Sequence, residues 1–475
     1  MPYIRSIAFI FFVIILFLAF FSFSQPYGFT SEFLWWAFFL SLILVLMSFF
    51  KNFFLDLVVL LMELFFIQRI IVLNFWPEEM LYSKWLIVSS EDYMTSIIFI
   101  TSCMGAVFIG FFGANLLLGK KNNQENNENF DNVNLFIGKI SFESLFKNYA
   151  LLYITMQIMQ LFLLLFTGIG VKGYDFDMSW TIFYRIITFF DNTWFLAFIV
   201  LLKKDFPPTI NRLAKYSVVI FILLLFLKTA KGALVSVFLT FIISTYFVKH
   251  EIPKKYFGYG FLIVLFVSLV YYPLMLIIRI GVVGYLYEGA KIVESIGEEL
   301  KILNFQVFSS VLKFSLRLSE FDWLVAFVNV GREAFPDYIG LKVEIFDIIN
   351  TFFLPNYKPI DTSGYIVMSK LMPMVFYGAS IEQLTGHGEN MGIAGMAYLY
   401  FGFIGGIVFF FLWSLISIKL LQSKLNIIWK ILFCQSLVII FFVGGSFTTL
   451  VKTCYEGYLG LVIVYSILKM KISIT

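Results

Sequence analysis

The sequence GHGENMGIAGMAYLYFGFIGG, residues 386–406, contains the point at which a long polar interval gives way to an apolar segment. The interval runs from Arg279 to Gly392 and is the one long polar stretch in an otherwise apolar chain. A long series of apolar segments precedes it, and a shorter series follows it. We therefore divide the chain into residues 1–278, an interval domain at 279–391, and residues 392–475.

The composition is typical of a protein that is solvated by lipid. Of 475 residues, 60% are apolar, 20% are aromatic and only 13% are charged. Soluble domains are about 45–50% apolar and about 25% charged. Because all backbone N–H and C=O groups must be paired inside a bilayer, long continuous apolar runs are expected to cross it as helices. The predicted fold class is an all-α polytopic membrane protein with about 12 transmembrane helices and one large outer loop domain.

Nine of the predicted spans precede the interval and three follow it. The stretch 119–134, which includes KKNNQENNENFDNVN, is polar and low in complexity, so it is predicted to be a flexible cytoplasmic linker. The spans are predicted at residues 4–23, 32–50, 53–74, 93–118, 145–168, 183–202, 214–228, 232–248, 256–277, 392–418, 427–447 and 454–469.

The distribution of basic residues predicts the orientation. If the N-terminus is cytoplasmic, 17 Lys and Arg residues lie at cytoplasmic ends of spans, whereas the short outer connections carry mainly Lys84, Lys172 and Lys452. Cytoplasmic loops of membrane proteins are enriched in Lys and Arg. Both termini are therefore expected in the cytoplasm and the interval on the outer side of the membrane.

Four basic residues near the predicted outer surface could bind phosphate groups. Arg279 follows an apolar run, and Arg317 lies in the stretch SLRLSEFDWLVAFV, which is predicted to be amphipathic. Lys228 and Lys231 lie in a turn where the orientation predicts few basic residues. A guanidinium can hold a phosphate through two parallel hydrogen bonds.

Each of these residues also has a structural alternative. Arg279 could anchor its span at the interface, and Arg317 could form a local salt bridge with Glu320 or Asp322 on a solvated face. The two lysines could extend to the outer headgroups.

His387 and Glu389 immediately precede the span that follows the interval. An imidazole or a carboxylate in this position could accept a proton from a sugar hydroxyl. The alternative is that this polar segment only begins a helix, because acidic side chains favour the positive end of the helix dipole.

Several functions are not indicated. Residues 279–392 contain nine basic and thirteen acidic residues, and the rest of the chain contains 25 basic and 17 acidic residues, so nucleic-acid binding is not suggested. The chain contains no P-loop and no glycine-rich dinucleotide motif, and the interval has no D-x-D pair to hold a divalent ion for a nucleotide sugar. No cofactor and no metal are therefore predicted.

Four segments together resemble a known family. They are LKTAKGALVSVFL (227–239), RLSEFDWLVAFV (317–328), FFLPNYKPIDTSG (352–364) and GMAYLYFGFIGGIVFFF (395–411). Their order and spacing are similar to those of the oligosaccharide repeat-unit polymerases, the Wzy-type O-antigen polymerases. Lys231 stands where that family usually has Arg, and Asn356 also stands where Arg is usual.

The resemblance implies a GT-C-like inverting glycosyltransferase in the bacterial inner membrane. Its donor would be a glycan on undecaprenyl pyrophosphate and its acceptor a lipid-linked repeat unit, with a chain-length regulator protein as a further partner. Arg279, Arg317, Lys231 and Lys228 would stabilise the pyrophosphate, while His387 or Glu389 would act on the acceptor hydroxyl. Two alternatives are an O-antigen ligase with lipid A-core as acceptor, and a lipid-linked oligosaccharide flippase, against which the long outer interval argues.

Overall fold

A computed structural model describes most of the chain outside the polar interval and a few segments within it. The described residues are 2–21, 29–50, 52–75, 88–118, 132–135, 138–167, 187, 190, 193–203, 205–227, 233–266, 270–271, 274, 320–330, 345–346, 348–350, 392–423, 426–442 and 447–474.

Helices account for nearly all of these residues. They are α1 (Pro2–Phe21), α2 (Ser31–Phe49), α3 (Phe53–Met62), a π-helical segment (Glu63–Ile67), α4 (Gln68–Phe75), α5 (Ser90–Leu118), α6 (Phe142–Thr167), α7 (Leu196–Lys203), α8 (Pro208–Leu227), α9 (Ala233–Lys249), α10 (Lys254–Phe266), α11 (Glu320–Val330), α12 (Ile393–Gln422), α13 (Ile427–Phe442) and α14 (Phe447–Ile474).

The prediction of an all-α membrane protein is confirmed in this coarse form. Six helices within the described part of the chain are long and apolar enough to cross a bilayer. They cover Tyr3–Phe21, Ser31–Phe49, Ser90–Leu116, Pro208–Leu225, Ile393–Gln422 and Leu450–Lys469. The described residues do not show twelve spans or an outer domain, which remain predictions.

The end of the predicted linker is a strand. Strand β1 (Asn132–Leu135) pairs antiparallel with β2 (Gly138–Ser141), so the prediction of a flexible linker to residue 134 is wrong for residues 132–134. The sequence N-V-N-L alternates polar and apolar residues, which favours a strand. The preceding residues 119–131 lie outside the described part of the chain.

Short polar residues start two of the N-terminal helices. The Asn52 side-chain oxygen accepts hydrogen bonds from the backbone N–H groups of Phe54 (2.9 Å) and Leu55 (3.3 Å) at the start of α3. The Thr30 hydroxyl accepts one from the N–H of Phe33 at the start of α2 (3.2 Å). These caps satisfy backbone donors that have no partner inside the helix.

The helices form two groups. In the first group, α1, α2, the continuous segment 53–75, α5, α11 and α12 pack on one another. In the second group, α6, α7, α8, α9, α13 and α14 do so, and α10 packs on α9. The groups meet where Phe53 of α3 stacks on Tyr246 of α9 with ring centroids 4.1 Å apart, and where α12 contacts α13.

Arg5 distinguishes one end of the first group. Its Nε donates to the carbonyl oxygen of Ser48 at 2.7 Å, which ties the start of α1 to the end of α2. A basic side chain at the C-terminal end of a helix satisfies free carbonyl groups there. We call this the Arg5 end of the group, and the starts of α2, α5 and α12 lie at the opposite end.

Helices α5 and α12 run parallel and approach each other closely. The Ser414 hydroxyl of α12 donates to the carbonyl of Val107 on α5 at 2.9 Å. A Cβ added at Gly110 would lie 2.9 Å from the backbone oxygen of Phe411, so the absence of a side chain permits this approach. Within a lipid bilayer, small residues at a helix interface allow the two backbones to approach closely, and this close packing stabilises the helix pair.

We expect Gly110→Ala to destabilise the folded protein by about 1–3 kcal/mol, since the added methyl group must push two helix backbones apart. Gly105→Ala, on the same helix, is the matched control, because a Cβ there would meet no atom within 4 Å. Thermal unfolding in detergent measures both variants. Equal unfolding temperatures for Gly110→Ala and Gly105→Ala would contradict the predicted close approach.

Helix α12 is kinked at Gly402. This residue has φ 71° and ψ −172°, a backbone conformation that only glycine adopts without strain. The segment FGFIGG therefore starts a new helical direction rather than continuing a straight span. The predicted start of the span at residue 392 is confirmed within one residue, since Gly392 is the N-cap of α12.

Candidate functional site

The six predicted site residues lie outside the described part of the chain. Their roles as phosphate ligands or catalytic groups therefore stay predictions. The described helices begin or end close to them in the sequence: α8 ends at Leu227, α9 begins at Ala233, α11 begins at Glu320, and α12 begins at Ile393. The six residues are Lys228, Lys231, Arg279, Arg317, His387 and Glu389.

Helix α11 is the described helix closest in sequence to Arg317, and it is buried. All residues from Phe321 to Phe327 are buried, and the helix packs on α5, on α12 and on the π-helical segment. The prediction of an amphipathic stretch is therefore wrong for residues 321–327, and these residues have no solvated face of the kind that the structural alternative for Arg317 required. The sequence F-D-W-L-V-A-F is almost entirely apolar, and the fold covers all of its sides.

Asp322 is the one charged residue in this buried run, and it forms an ion pair with Arg69 of α4. Nε of Arg69 donates to Oδ1 of Asp322 at 3.0 Å, and Nη2 donates to Oδ2 at 2.8 Å. Both side chains are 0% exposed. Two parallel hydrogen bonds fix the guanidinium and the carboxylate in one plane, which gives the contact a defined geometry as well as its charge attraction.

The ion pair with Arg69 is a long-range contact of Asp322, whereas the sequence had also allowed a local salt bridge with Arg317. Asp322 was a candidate for a local salt bridge with Arg317, but its carboxylate is bound by a residue 253 positions away in the chain. Removing either partner would leave a buried charge without compensation, which typically costs about 3–5 kcal/mol. The pair therefore ties the polar interval to the first helix group.

Aromatic rings pack beside the ion pair. Phe321 packs against Phe33 of α2, with ring centroids 5.9 Å apart, and against Tyr93 of α5, with centroids 6.4 Å apart. Phe29 packs edge-on against Tyr93 at 5.0 Å. These rings keep water from the region, which strengthens the attraction within the pair and raises the cost of breaking it.

A second polar contact holds the other end of α11. Oδ2 of Asp92 accepts hydrogen bonds from the backbone N–H (2.7 Å) and the hydroxyl (2.8 Å) of Ser89, while the Ser89 hydroxyl accepts from the N–H of Asp92 at 3.2 Å. This reciprocal arrangement is a capping box at the start of α5. The same oxygen accepts from Nδ2 of Asn329 at 2.8 Å, so α11 is anchored by polar contacts near both of its ends.

Helix α11 also contacts the first turn of α12. A Cβ added at Gly395 would lie 2.7 Å from Cδ2 of Phe327, which shows how closely that ring approaches the α12 backbone. The starts of α5 and α12 and the whole of α11 therefore pack together at the end of the first group that lies opposite Arg5. We call this assembly the Asp322 end.

The π-helical segment Glu63–Ile67 carries a further acid. Glu63 is 0% exposed and lies near the middle of the helical segment 53–75. π-Helical turns are rare and occur frequently at functional sites. Within the described residues, no group of three or more His, Cys, Asp or Glu side chains could hold a metal ion, and the predicted independence from metal stays a prediction.

Sequence reasoning missed Arg69. It is the only basic residue in the predicted span 53–74, and charged residues within a span usually face a partner in the protein interior. That signal could have singled out Arg69 as a residue that needs an acidic partner. It could not have identified Asp322 as the partner, because the interval contains thirteen acidic residues.

Comparison with known proteins adds no relative to this description. The chain matches no protein-family model, no curated protein and no solved structure.

Proposed function

We propose that this chain is a glycosyltransferase of the bacterial inner membrane that polymerises undecaprenyl-pyrophosphate-linked repeat units into O-antigen or capsular polysaccharide. In this proposal the reaction takes place on the periplasmic side, and the twelve-span topology places the interval 279–391 there. The donor is the growing glycan on its lipid diphosphate, and the acceptor is a single lipid-linked repeat unit. A chain-length regulator protein is the proposed protein partner.

The observation that supports the proposal most is the burial of α11 at the Asp322 end. This helix directly follows the R-L-S segment of the family resemblance, and Arg69 binds its Asp322 through two hydrogen bonds. The interval is thus attached to the first helix group at the end where α12 begins. A transferase that acts on a lipid diphosphate needs its polar residues to be held at the membrane surface in this way.

Chain length also favours a common location for the candidate residues. Arg317 precedes the first residue of α11 by three positions, which span at most about 11 Å. Glu389 precedes the first residue of α12 by four positions, which span at most about 14 Å. Phe327 of α11 contacts the first turn of α12, and the helix from Glu320 to Phe327 adds about 10 Å, so both residues are expected near the Asp322 end.

The proposed chemistry follows from the leaving group. The acceptor hydroxyl oxygen forms a bond to the anomeric carbon of the donor sugar, and the bond from that carbon to the diphosphate oxygen breaks. The hydroxyl proton passes to His387 or Glu389. Arg279, Arg317, Lys231 and Lys228 stabilise the negative charge on the departing diphosphate. Cleavage of the bond between the donor sugar and the lipid diphosphate supplies the free energy of the reaction, so no nucleotide is required.

Purified protein in liposomes is therefore expected to convert lipid-linked repeat units into a ladder of longer glycans without added nucleotide and in the presence of EDTA. Gel electrophoresis of the released glycans measures the ladder. Activity that disappears in EDTA and returns with a divalent ion would contradict the metal-free chemistry.

A deletion strain separates the polymerase from its two rivals. Single repeat units that remain attached to lipid A-core are expected when a polymerase is lost. Loss of all attached glycan would identify a ligase, and accumulation of lipid-linked units on the cytoplasmic side would identify a flippase. Either of these last two results would overturn the proposed polymerase.

A further inference from the structure

Glu63 is an acid placed in the interior of the first helix group. Its side chain is completely buried, and the residues around it in the chain, Met62 and Phe65 to Ile67, are buried and apolar. The segment it begins is π-helical and joins α3 to α4 without a break. Glu63 therefore lies near the middle of the helical segment 53–75, away from both of its ends.

Neither carboxyl oxygen of Glu63 has a hydrogen-bond partner within the part of the chain that the structure describes. This distinguishes Glu63 from Asp322, whose two oxygens both accept from Arg69. It also distinguishes it from Glu456 of α14, which is 3% exposed and lies 3.9 Å from the ammonium group of Lys452. Buried acids that are ionised are normally paired in one of these ways.

Within the described part of the chain, α1, α3, α4 and α11 pack on the π-helical segment, and none of them provides a hydrogen-bond partner for the Glu63 carboxyl group. The guanidinium of Arg69 binds Asp322, and that of Arg5 binds the carbonyl of Ser48 at the Arg5 end. The titratable and charged residues of these four helices are Tyr3, Arg5, Asp56, Arg69, Glu320 and Asp322.

An ionised carboxylate is strongly disfavoured in such surroundings. Moving the charge from water into an apolar interior costs far more free energy than the interior can return without a hydrogen bond or a cation. A metal ion is not expected to compensate the charge of Glu63. Hard cations require several oxygen ligands, and the described residues contain no cluster of three or more His, Cys, Asp or Glu side chains. A bound proton removes the charge and needs no additional ligand.

We propose that Glu63 is a proton-binding site in the interior of the first helix group and that its carboxyl group carries a proton in the folded protein at neutral pH. The ligand is a single proton, which converts the carboxylate to the neutral acid. Ionisation would create a charge that has no hydrogen-bond partner among the described residues. This inference does not depend on the proposed glycosyltransferase activity.

Infrared spectroscopy of the full-length protein in lipid at pH 7 tests the proposal. The difference spectrum between the wild type and Glu63→Gln is expected to contain the C=O stretching band of a protonated carboxyl group, which shifts in D₂O. Glutamine is the neutral isostere of the protonated acid, so this variant is expected to fold with an unchanged unfolding temperature. Glu456→Gln is the matched control, because Glu456 has the ammonium group of Lys452 at 3.9 Å, and the protonated band should persist in this variant.

Two results would overturn the proposal. One is loss of carboxylate bands, rather than of the protonated band, in Glu63→Gln. The other is failure of Glu63→Gln to fold, because a neutral side chain of the same shape should occupy a site that is already neutral. A protonated band in the wild type that disappears in Glu63→Gln and persists in Glu456→Gln would support it.

Discussion

Replacing Asp322 with alanine is expected to destabilise the folded protein by about 3–5 kcal/mol, because it leaves the buried guanidinium of Arg69 without its partner. Both side chains are 0% exposed, so water cannot compensate the lost contact. The reciprocal change Arg69→Ala should cost a similar amount, since it leaves the carboxylate of Asp322 uncompensated. Thermal or denaturant unfolding in detergent measures both variants.

The double variant Arg69→Met with Asp322→Leu removes both charges. It therefore distinguishes the destabilisation caused by one unpaired buried charge from the net contribution of the ion pair to stability. Replacement of a buried ion pair by apolar residues of similar volume is often neutral or stabilising, so this variant should recover most of the lost stability. Gln422→Ala is the control, because Gln422 is exposed and makes one long hydrogen bond to Asn115 (3.4 Å); we expect a change within about 0.5 kcal/mol. Single variants as stable as the wild type would contradict the buried pair.

The second large effect concerns the proposed pyrophosphate ligands. We expect Arg317→Ala and Arg279→Ala each to reduce the polymerisation rate by about 10²–10³-fold, because each removes a fixed donor to the charge that develops on the leaving diphosphate. Neither change should alter the amount of protein in the membrane. The measurement is the length distribution of glycans on a gel beside a membrane blot.

The side-chain chemistry of the ligands can be tested with conservative changes. Arg317→Lys and Arg279→Lys should restore only part of the activity, since an ammonium group cannot bind phosphate through two parallel hydrogen bonds. Lys231→Arg should be tolerated and Lys231→Ala should not. Arg332→Ala is the control and should retain most activity, because we expect Arg332 to pair with the adjacent Glu333 rather than with phosphate. A full-length ladder from Arg279→Ala and Arg317→Ala would exclude these residues as pyrophosphate ligands.

The two sets of variants also distinguish two roles for one stretch of sequence. Asp322→Ala should lower the unfolding temperature, and activity should fall because α11 is no longer held. Arg317→Ala should lower activity at an unchanged unfolding temperature. Arg317 and Asp322 are only five residues apart in the sequence, so a common loss of stability in both variants would show that Arg317 is structural.

Most helix positions could be predicted from the sequence. Spans predicted at 4–23, 32–50 and 427–447 correspond to helices at Pro2–Phe21, Ser31–Phe49 and Ile427–Phe442. Long apolar runs decide these positions, because any such run must pair its own backbone groups within lipid. Capping residues such as Asn52 then define where a helix starts.

Features that depend on contacts between distant residues could not be predicted in this way. The R-L-S-E-F-D segment predicted polar chemistry, yet the partner of its Asp322 lies 253 residues earlier, in α4. The close approach of α5 to α12 at Gly110 likewise depends on a residue about 300 positions later. Nothing in a local pattern specifies which acid meets which base across so many residues.

The sequence alone therefore predicted that lipid surrounds this protein, where most of the described helices lie, and that one long polar interval separates them, since these features follow from local apolar content. Only the tertiary structure decided that α11 of that interval is buried, that Arg69 neutralises Asp322, and that Glu63 has neither a base nor a hydrogen-bond donor within the described residues. The reason is physical. The free energy of a buried charge depends on the groups that surround it in space, and those groups come from helices that are far apart in the chain.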